Sequence, residues 1–490
     1  MASSLSSRHS KSVGLRQRQS LLNLGLVFLL AFLFFFFPST DTDLWWHLRY
    51  GQYFWQFLTP WRENGLTYFL PGYQWKLCYF LFQATIYPLY KSFGLLGLSI
   101  LNSLFFAFLG MTFFIYTKKI LLTLLTLMMI TLFGWFPFSI GLRPQNFALL
   151  GITLLLILLK KGLKNPNLFF FIPLLVLLWV NIHGSFVLSL AILAFFIFSC
   201  FLKKQNNLVK KGLLILFLSI LAGFFNPFGL AAYNEFWRHM IYPLKFLIAE
   251  WVPPDLIFKL TTVAIGFPLL FFLAKKPKEN LFQILLLVFF GIQIFLAKRN
   301  TPLYGLVFGL VLSDWVLTNS SGKKALLKIE KIFPSRILLI SLIFLLTLTR
   351  VPRTFSFLDD RDVFCQQSGW PFPCQAVDWI QKQTFLGQNV FTAYEWGGFL
   401  EWHLPKFKPF IDGRMVTWPT PSGKSPYTIY LEIIQAQPDW EKTLEENKTD
   451  WLLIGTDTFL DLELKNKKHP LWQLVYSDKL ASVYTKRTIY

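Results

Sequence analysis

The chain has 490 residues, 54% of them hydrophobic, 19% aromatic and only 15% charged, with a mean hydropathy of +0.48. A soluble domain is nearer about 25% charged, and here the apolar residues come in long runs rather than at amphipathic spacing, which excludes an ordinary soluble fold. The net charge of +21 lies in short Lys and Arg clusters between those runs, as anchors at an anionic membrane face, and no zinc knuckle, RNA-binding signature or basic repeat points to nucleic acid.

Residues 1–20 form a basic tail with Arg8, Lys11, Arg16 and Arg18 and no acid, expected to stay in the cytoplasm. Leu21 to Pro38 reads as the first span, and the absence of an A-x-A cleavage site makes it an uncleaved anchor. Further spans are predicted near 94–116, 120–138, 146–159, 167–182, 185–202, 212–226, 256–274, 281–297, 301–317 and 337–350. Connectors with Lys118-Lys119, Lys160-Lys161, Lys203-Lys204, Lys275-Lys276 and Lys323-Lys324 alternate with connectors rich in aromatics, Pro and Asn, as the positive-inside rule requires. The stretch 77–93, with Pro88 inside, is expected to be interfacial or re-entrant, because a second full span there would reverse every later loop.

The predicted fold is therefore an all-α polytopic transmembrane bundle of about eleven spans, with a small C-terminal extracytoplasmic α/β domain. Its parts are the tail (1–20), the transmembrane module (21–350, with a first outer loop at 39–76) and the outer domain (351–490) of a multi-pass cell (plasma) membrane protein. In the outer domain Ala376–Gln383 and Tyr427–Gln437 read as helices. Asn389–Thr392, Pro409–Asp412, Trp451–Gly455, Trp472–Ser477 and Leu480–Lys486 read as strands. Cys78 and Cys200 read as small buried hydrophobes. Cys365 and Cys374 stand close together with no zinc-spaced partner, which predicts a short disulfide in an oxidising compartment.

The first outer loop begins DTDLWWHLRYGQYF. Asp41 and Asp43 lie directly beyond a span and are followed by Trp45, Trp46, His47 and Arg49, on a helix expected from Leu44 to Phe57. An aromatic interfacial belt with incidental polar residues is one reading of this group; a functional site at the membrane face is the other. Neither a G-x-x-x-x-G-K-[ST] loop nor a strand-led G-x-G-x-x-G occurs, so a cytosolic nucleotide site is unsupported.

The stretch DTDLWWHLRYG resembles the first-loop motif of GT-C-type membrane glycosyltransferases. RPQNF at 143–147, NIHGSF at 181–186, NPFG at 226–229, KRNTP at 298–302, YEWGGFLEWHLP at 394–405 and PFIDGRM at 409–415 complete the pattern. Together they are similar to a group of bacterial multispan proteins near that superfamily, distantly like oligosaccharyltransferase catalytic subunits and protein O-mannosyltransferases. The resemblance implies transfer of a sugar from a polyprenyl-phosphate-linked lipid to a glycan, lipid or protein acceptor at the outer membrane face. It favours Asp43 over Asp41 as the general base, and implies that Arg49, Arg143 and Arg299 meet the donor phosphate. Trp45, Trp46, His47, His183, Glu250, Asp412 and Arg414 are further candidate substrate contacts. His183 beside Asn181 also suits a structural hydrogen-bonding site, and Asp412-Gly413-Arg414 suits a strand-ending turn in which Gly413 supplies an unusual dihedral.

Oligosaccharyltransferases place further carboxylates in the second outer loop to bind a divalent cation, whereas residues 134–147 here contain no Asp or Glu. The residues are compatible with Mg²⁺ or Mn²⁺ held by Asp41 and Asp43, with Glu250 or Asp255 assisting, and equally with a metal-independent enzyme. Two other classes compete with the transferase. A transporter or flippase would show internal repeats and polar groups mid-span, neither of which is seen. A non-catalytic envelope-assembly protein would make Asp43 merely structural.

Overall fold

The computed structural model describes residues 2–76, 79–138, 141–332, 334–367, 371–466 and 469–487. The expectation for Cys78 falls outside them, as do the side chains of Arg8, Lys11 and Arg16. In chain order the helices are α1 (Ala2–Phe34), α2 (Leu44–Phe57), α3 (Phe80–Thr117), α4 (Ile120–Phe138), α5 (Phe147–Gly162), α6 (Phe171–Val180) and α7 (Val187–Leu202). Next come α8 (Asn206–Ala222), α9 (Ala231–Ile241), α10 (Leu256–Ala274), α11 (Pro277–Ile294), α12 (Thr301–Thr318), α13 (Ser320–Ile332) and α14 (Ser335–Asp359). The C-terminal part adds α15 (Arg361–Gln367), α16 (Cys374–Gln381), α17 (Gly397–His403), α18 (Pro426–Ile434), α19 (Trp440–Glu446) and α20 (Phe459–Asn466). Interleaved with these are β1 (Asn389–Thr392), β2 (Lys408–Pro409), β3 (Trp451–Gly455), β4 (Trp472–Ser477) and β5 (Ala481–Lys486).

Each span read from the sequence falls on an apolar helix, from α1 through α3–α8 and α10–α12 to α14. Among the described residues, seven segments are long and apolar enough to cross a bilayer: Gln17–Phe34, Phe80–Thr117, Pro144–Gly162, Gly184–Leu202, Leu256–Ala274, Lys298–Thr318 and Ser335–Asp359. The count by length is smaller than about eleven because α4 and α6 contribute shorter apolar helices, α8 has 17 residues, and α11 begins with Lys278 and Glu279. Residues 80–93 of the segment expected to be interfacial or re-entrant and the span 94–116 are two parts of α3, meeting where Gly94 breaks the helix with φ of 57°.

The chain forms two compact units that do not follow chain order. One comprises Met1–Pro38, Leu98–Phe225 and Ile248–Phe355; the other comprises Ser39–Gly97, Asn226–Leu247 and Ser356–Tyr490. The first is the helical unit. Its tightest packing joins α4 to α12, where Gly305 and Gly309 let the backbones close up: a Cβ on Gly305 would stand 2.6 Å from the Met129 carbonyl, and one on Gly309 2.9 Å from the Thr126 methyl. Small residues at helix contacts are how membrane helices gain packing when lipid is as apolar as leucine. The polar side chains at this contact turn inward, Thr126 Oγ1 donating to the Leu122 carbonyl at 2.9 Å and Ser313 Oγ to the Gly309 carbonyl at 2.7 Å.

The second unit is built on a five-stranded sheet in the order β2-β1-β3-β5-β4. β1 pairs in parallel with β2 and β3, while β5 is antiparallel to both β3 and β4. β3 (WLLIG) is a continuous apolar run because it lies mid-sheet with both faces covered. The edge strand β4 exposes Gln473, Leu474 and Ser477. Cys365, on α15, and Cys374, the first residue of α16, are joined by a disulfide with Cα atoms 6.1 Å apart.

Candidate active site

Asp43 is the N-cap of α2, where the helix dipole favours a carboxylate. Its Oδ1 accepts a hydrogen bond from Trp46 Nε1 at 2.9 Å, one turn further on, and its own N–H donates to Asp41 Oδ1 at 3.3 Å. Gly413 abuts the same oxygen so closely that a Cβ there would collide with it. Trp46 is itself fixed, edge to face with Trp75 at 5.4 Å and against the His47 ring at 3.6 Å. His47 Nδ1 faces the Gln83 amide at 3.0 Å.

Behind this carboxylate lies a buried ion cluster. Arg414 Nε donates to both Asp412 oxygens at 2.9 Å, its Nη2 also meets Asp412 Oδ2, and its Nη1 donates to the Tyr50 hydroxyl at 2.5 Å. Nη2 reaches Asn64 Oδ1 at 3.3 Å and stands 3.7 Å from Glu401 Oε1. The guanidinium also packs over the Tyr50, Trp75 and Trp418 rings at 5.2 to 5.5 Å. All three charged side chains are 0–1% exposed.

Two carboxylates and one guanidinium cannot all be charged there at low cost. Burial alone would push Asp412 up, but Arg414 beside it holds it below the usual carboxylate range. Glu401 goes the other way: burial and then the Asp412 charge push it well up, against the pull of Arg414. Among the described residues no hydrogen bond reaches the Glu401 carboxylate, and the Arg414 guanidinium 3.7 Å away is its ion-pair partner. Burial also pushes the Tyr50 phenol up to about 12, so it stays a neutral hydroxyl.

Arg49, on α2, donates to Gln52 Oε1 at 2.6 Å, and its buried Nε has no hydrogen-bond partner among the described residues. Partial burial lowers its guanidinium from the ordinary arginine range, against the pull of Glu401. Tyr394 donates to the Gly413 carbonyl at 3.4 Å, and burial and the nearby Asp43 charge raise its phenol.

The remaining sequence candidates divide between the two units. Trp45 is core of the second unit, edge to face with Phe399 at 5.3 Å and Tyr90 at 6.2 Å, and Trp46 and His47 are buried as well. An aromatic belt facing lipid is therefore not what Trp45 and Trp46 form. Asp412 and Arg414 are buried against each other rather than facing solvent. Gly413 has no positive φ, so the unusual dihedral expected of it is corrected: what the position demands is the absence of a Cβ beside Asp43.

In the helical unit, Arg143 is ion-paired to Glu250, while the Arg299 N–H donates to the Glu250 carbonyl at 3.0 Å and its guanidinium lies 4.5 Å over Trp251. Burial would raise Glu250, but Arg143 and then Arg299 hold it below the ordinary glutamate range. Asp255 caps α10 through Phe258 N–H at 2.8 Å, and His183 Nδ1 takes the Ser185 N–H at 3.1 Å as a cap. No group of three or more His, Cys, Asp or Glu side chains gathers at metal-binding spacing among the described residues.

Sequence reasoning missed Tyr50, Asn64, Tyr394 and Glu401. Glu401 stands inside the block YEWGGFLEWHLP, where its signal was a lone acid between Leu400 and Trp402, four residues beyond Gly397.

No family model matches the chain, and no curated protein matches it by sequence. Its fold is similar to that of the archaeal oligosaccharyltransferase AglB from Archaeoglobus fulgidus, solved in complex with an inhibitory peptide and a dolichol-phosphate. That likeness has a TM-score of 0.52 at 12% identity and covers 96% of this chain and 74% of the other. The oligosaccharyltransferase of Archaeoglobus fulgidus tethered with an acceptor peptide containing the NVT sequon gives a TM-score of 0.54 with the same identity and coverage. Its apo form gives 0.51. At this identity the likeness is one of fold alone, that of a multispan helical membrane protein with a small sheet-bearing C-terminal part.

Proposed function

We propose that the protein is a membrane glycosyltransferase that moves a sugar from a polyprenyl-phosphate lipid to an acceptor at the outer membrane face, with Asp43 as general base. The observation that carries this reading is the held carboxylate of Asp43, which stands at the N-terminus of α2, takes the Trp46 indole N–H and abuts Gly413. Fixed geometry of this kind is what converts an ordinary carboxylate into an effective base, because little reorganisation is needed as the proton moves. The neighbours of similar fold were solved with dolichol-phosphate and with acceptor peptide, which supports a lipid-borne phosphate and a polar acceptor here.

In the reaction the acceptor X–H attacks the anomeric carbon. Its proton passes to a carboxylate oxygen of Asp43, the new glycosidic bond forms, and the bond to the phosphate oxygen breaks with its electron pair. The leaving lipid phosphate is anionic and needs a fixed cation. Arg49 lies on the same helix as Asp43 and keeps a buried, unpartnered Nε, which suits it to that role. If a divalent cation takes part, Asp41 and Asp43 are the residues to hold it. Two carboxylates two positions apart would suit Mg²⁺ or Mn²⁺, which would neutralise phosphate charge.

Asp43→Asn keeps shape and removes basicity, so glycan transfer in a complemented deletion strain should fall by about 10²–10⁴-fold with membrane insertion unchanged. Full activity of this variant at matched expression would sink the proposal. Chelation that mimics the variant, relieved by Mn²⁺ or Mg²⁺, would assign the pair a metal.

A further inference from the structure

The helix α13 has the sequence SSGKKALLKIEKI and follows α12 after the single residue Asn319. It stands between two segments apolar and long enough to span a bilayer, Lys298–Thr318 and Ser335–Asp359. At 13 residues it is about 20 Å long, too short for a hydrocarbon core of about 30 Å, and five of its residues are charged. It therefore belongs at the membrane surface, where the two spans end.

Its faces are sorted except at Leu327, which is exposed between Lys323 and Lys331. At 100° per residue Gly322, Ala325, Leu326, Ile329 and Ile332 fall on one side, and Lys324, Lys328 and Lys331 on the other. Only part of the apolar side meets protein: Leu326 is buried and Gly322 packs tightly on Val316, while Ile329 is 44% and Ile332 61% exposed. The one acid, Glu330, is tied to Lys119 at 3.1 Å. Lys323, Lys324, Lys328 and Lys331 make no ion pair with a described residue, so their charge is uncompensated.

We propose that α13 is an in-plane surface helix that inserts Ile329 and Ile332 into the acyl boundary and presents its lysines to the phosphates of anionic phospholipid. An uncovered apolar edge beside a row of unpaired lysines, fixed between two spans, fits that partner in both charge and depth. An acidic protein would match the lysines but would leave the apolar edge in water or have to cover it separately.

The test uses the full chain in nanodiscs of phosphatidylcholine with and without phosphatidylglycerol, with a spin label at Ile329→Cys or Lys328→Cys. The label at 329 should be relaxed by oxygen more than by a water-soluble nickel chelate, and the label at 328 the reverse. The variant with Lys324, Lys328 and Lys331 all changed to Gln should lose preference for phosphatidylglycerol over phosphatidylcholine, about fivefold per lysine, read as co-purified lipid by native mass spectrometry. Accessibility of the 329 label to nickel, immobilisation of that label against protein, or lipid preference unchanged in the triple variant would each overturn the proposal.

Discussion

Asp43 Oδ1 occupies the space in which Gly413 would carry a side chain, although 370 positions of sequence separate the two residues. Gly413→Ala should therefore displace the carboxylate rather than strain the backbone, since Gly413 has no positive φ. A shift of about 1 Å at a reacting group costs on the order of 10²-fold, so kcat should fall by that order with KM little changed. If Asp43→Asn abolishes transfer while Gly413→Ala leaves kcat intact, the carboxylate does not depend on that contact.

The buried cluster behind Asp43 makes opposite predictions for its two ends. Arg414→Met leaves the Asp412 charge buried and unpaired and should cost about 3–5 kcal/mol, seen as a large fall in Tm. Glu401→Gln keeps the shape and removes the titrating group, and at about pH 4 should change stability by about 1 kcal/mol or less. Their pH dependence has a definite sign. The folded-state pKa of Glu401 is raised, so the folded chain keeps a proton that the unfolded chain releases above about pH 4.3. That contribution is full below about pH 4.3 and is lost as pH rises towards the folded value. The Tm of Glu401→Gln relative to wild type should thus improve on going from about pH 4 to neutral. Asp412, lowered by Arg414, contributes in the other direction, its share being present above about pH 3.9 and lost as pH falls through its folded value.

Much of this architecture was legible in the sequence, and the failures have physical causes. The α2 helix and strands β1, β3 and β4 fall on the predicted residues, because local apolar patterning and turn residues specify them. α17 is not among the helices predicted from the sequence: Gly397-Gly398 opens it, and glycine is a poor helix former. In the structure a Cβ at Gly397 would collide with the Ile411 carbonyl, so close approach requires the glycine. Tyr50, Asn64 and Glu401 reach Arg414 only through tertiary folding, which no spacing rule reveals. The division into units was equally hidden, since residues 39–97 and 226–247 group with the C-terminal part rather than with their neighbours in sequence.

The disulfide between Cys365 and Cys374 bears on sidedness, since such bridges persist in oxidising compartments. Non-reduced peptide mapping of freshly isolated membranes should recover the linked pair, and Cys365→Ser should lower stability by roughly 2–3 kcal/mol for so short a loop. Single cysteines introduced into the Lys-rich 203–211 loop and into 440–450 should be labelled from opposite sides of the membrane, the first from the cytoplasm. Labelling of both from one side would put the C-terminal part, and with it Asp43, on the wrong face for an outer-membrane-face transferase.

The cluster around Glu250 gives the last prediction. Arg143 is ion-paired to the Glu250 carboxylate, and Arg143 and then Arg299 hold Glu250 below the ordinary glutamate range against its burial. Arg299 is further oriented by the Trp251 ring and by its backbone bond to Glu250. Such a cluster is either a brace between loops or an anion site, and the two roles respond differently to substitution. Arg143→Lys keeps the charge but loses the planar fork, so an anion site predicts a rise of about tenfold in KM for the lipid-phosphate donor with kcat held. Glu250→Gln removes the competing carboxylate, and the same role predicts an unchanged or lower KM. A brace predicts instead that both variants lower Tm and leave KM alone, since each breaks the same buried pair. Measuring KM and Tm on the two variants side by side separates these outcomes. A fall in Tm with unchanged KM in both would remove Arg143 from the phosphate-binding residues.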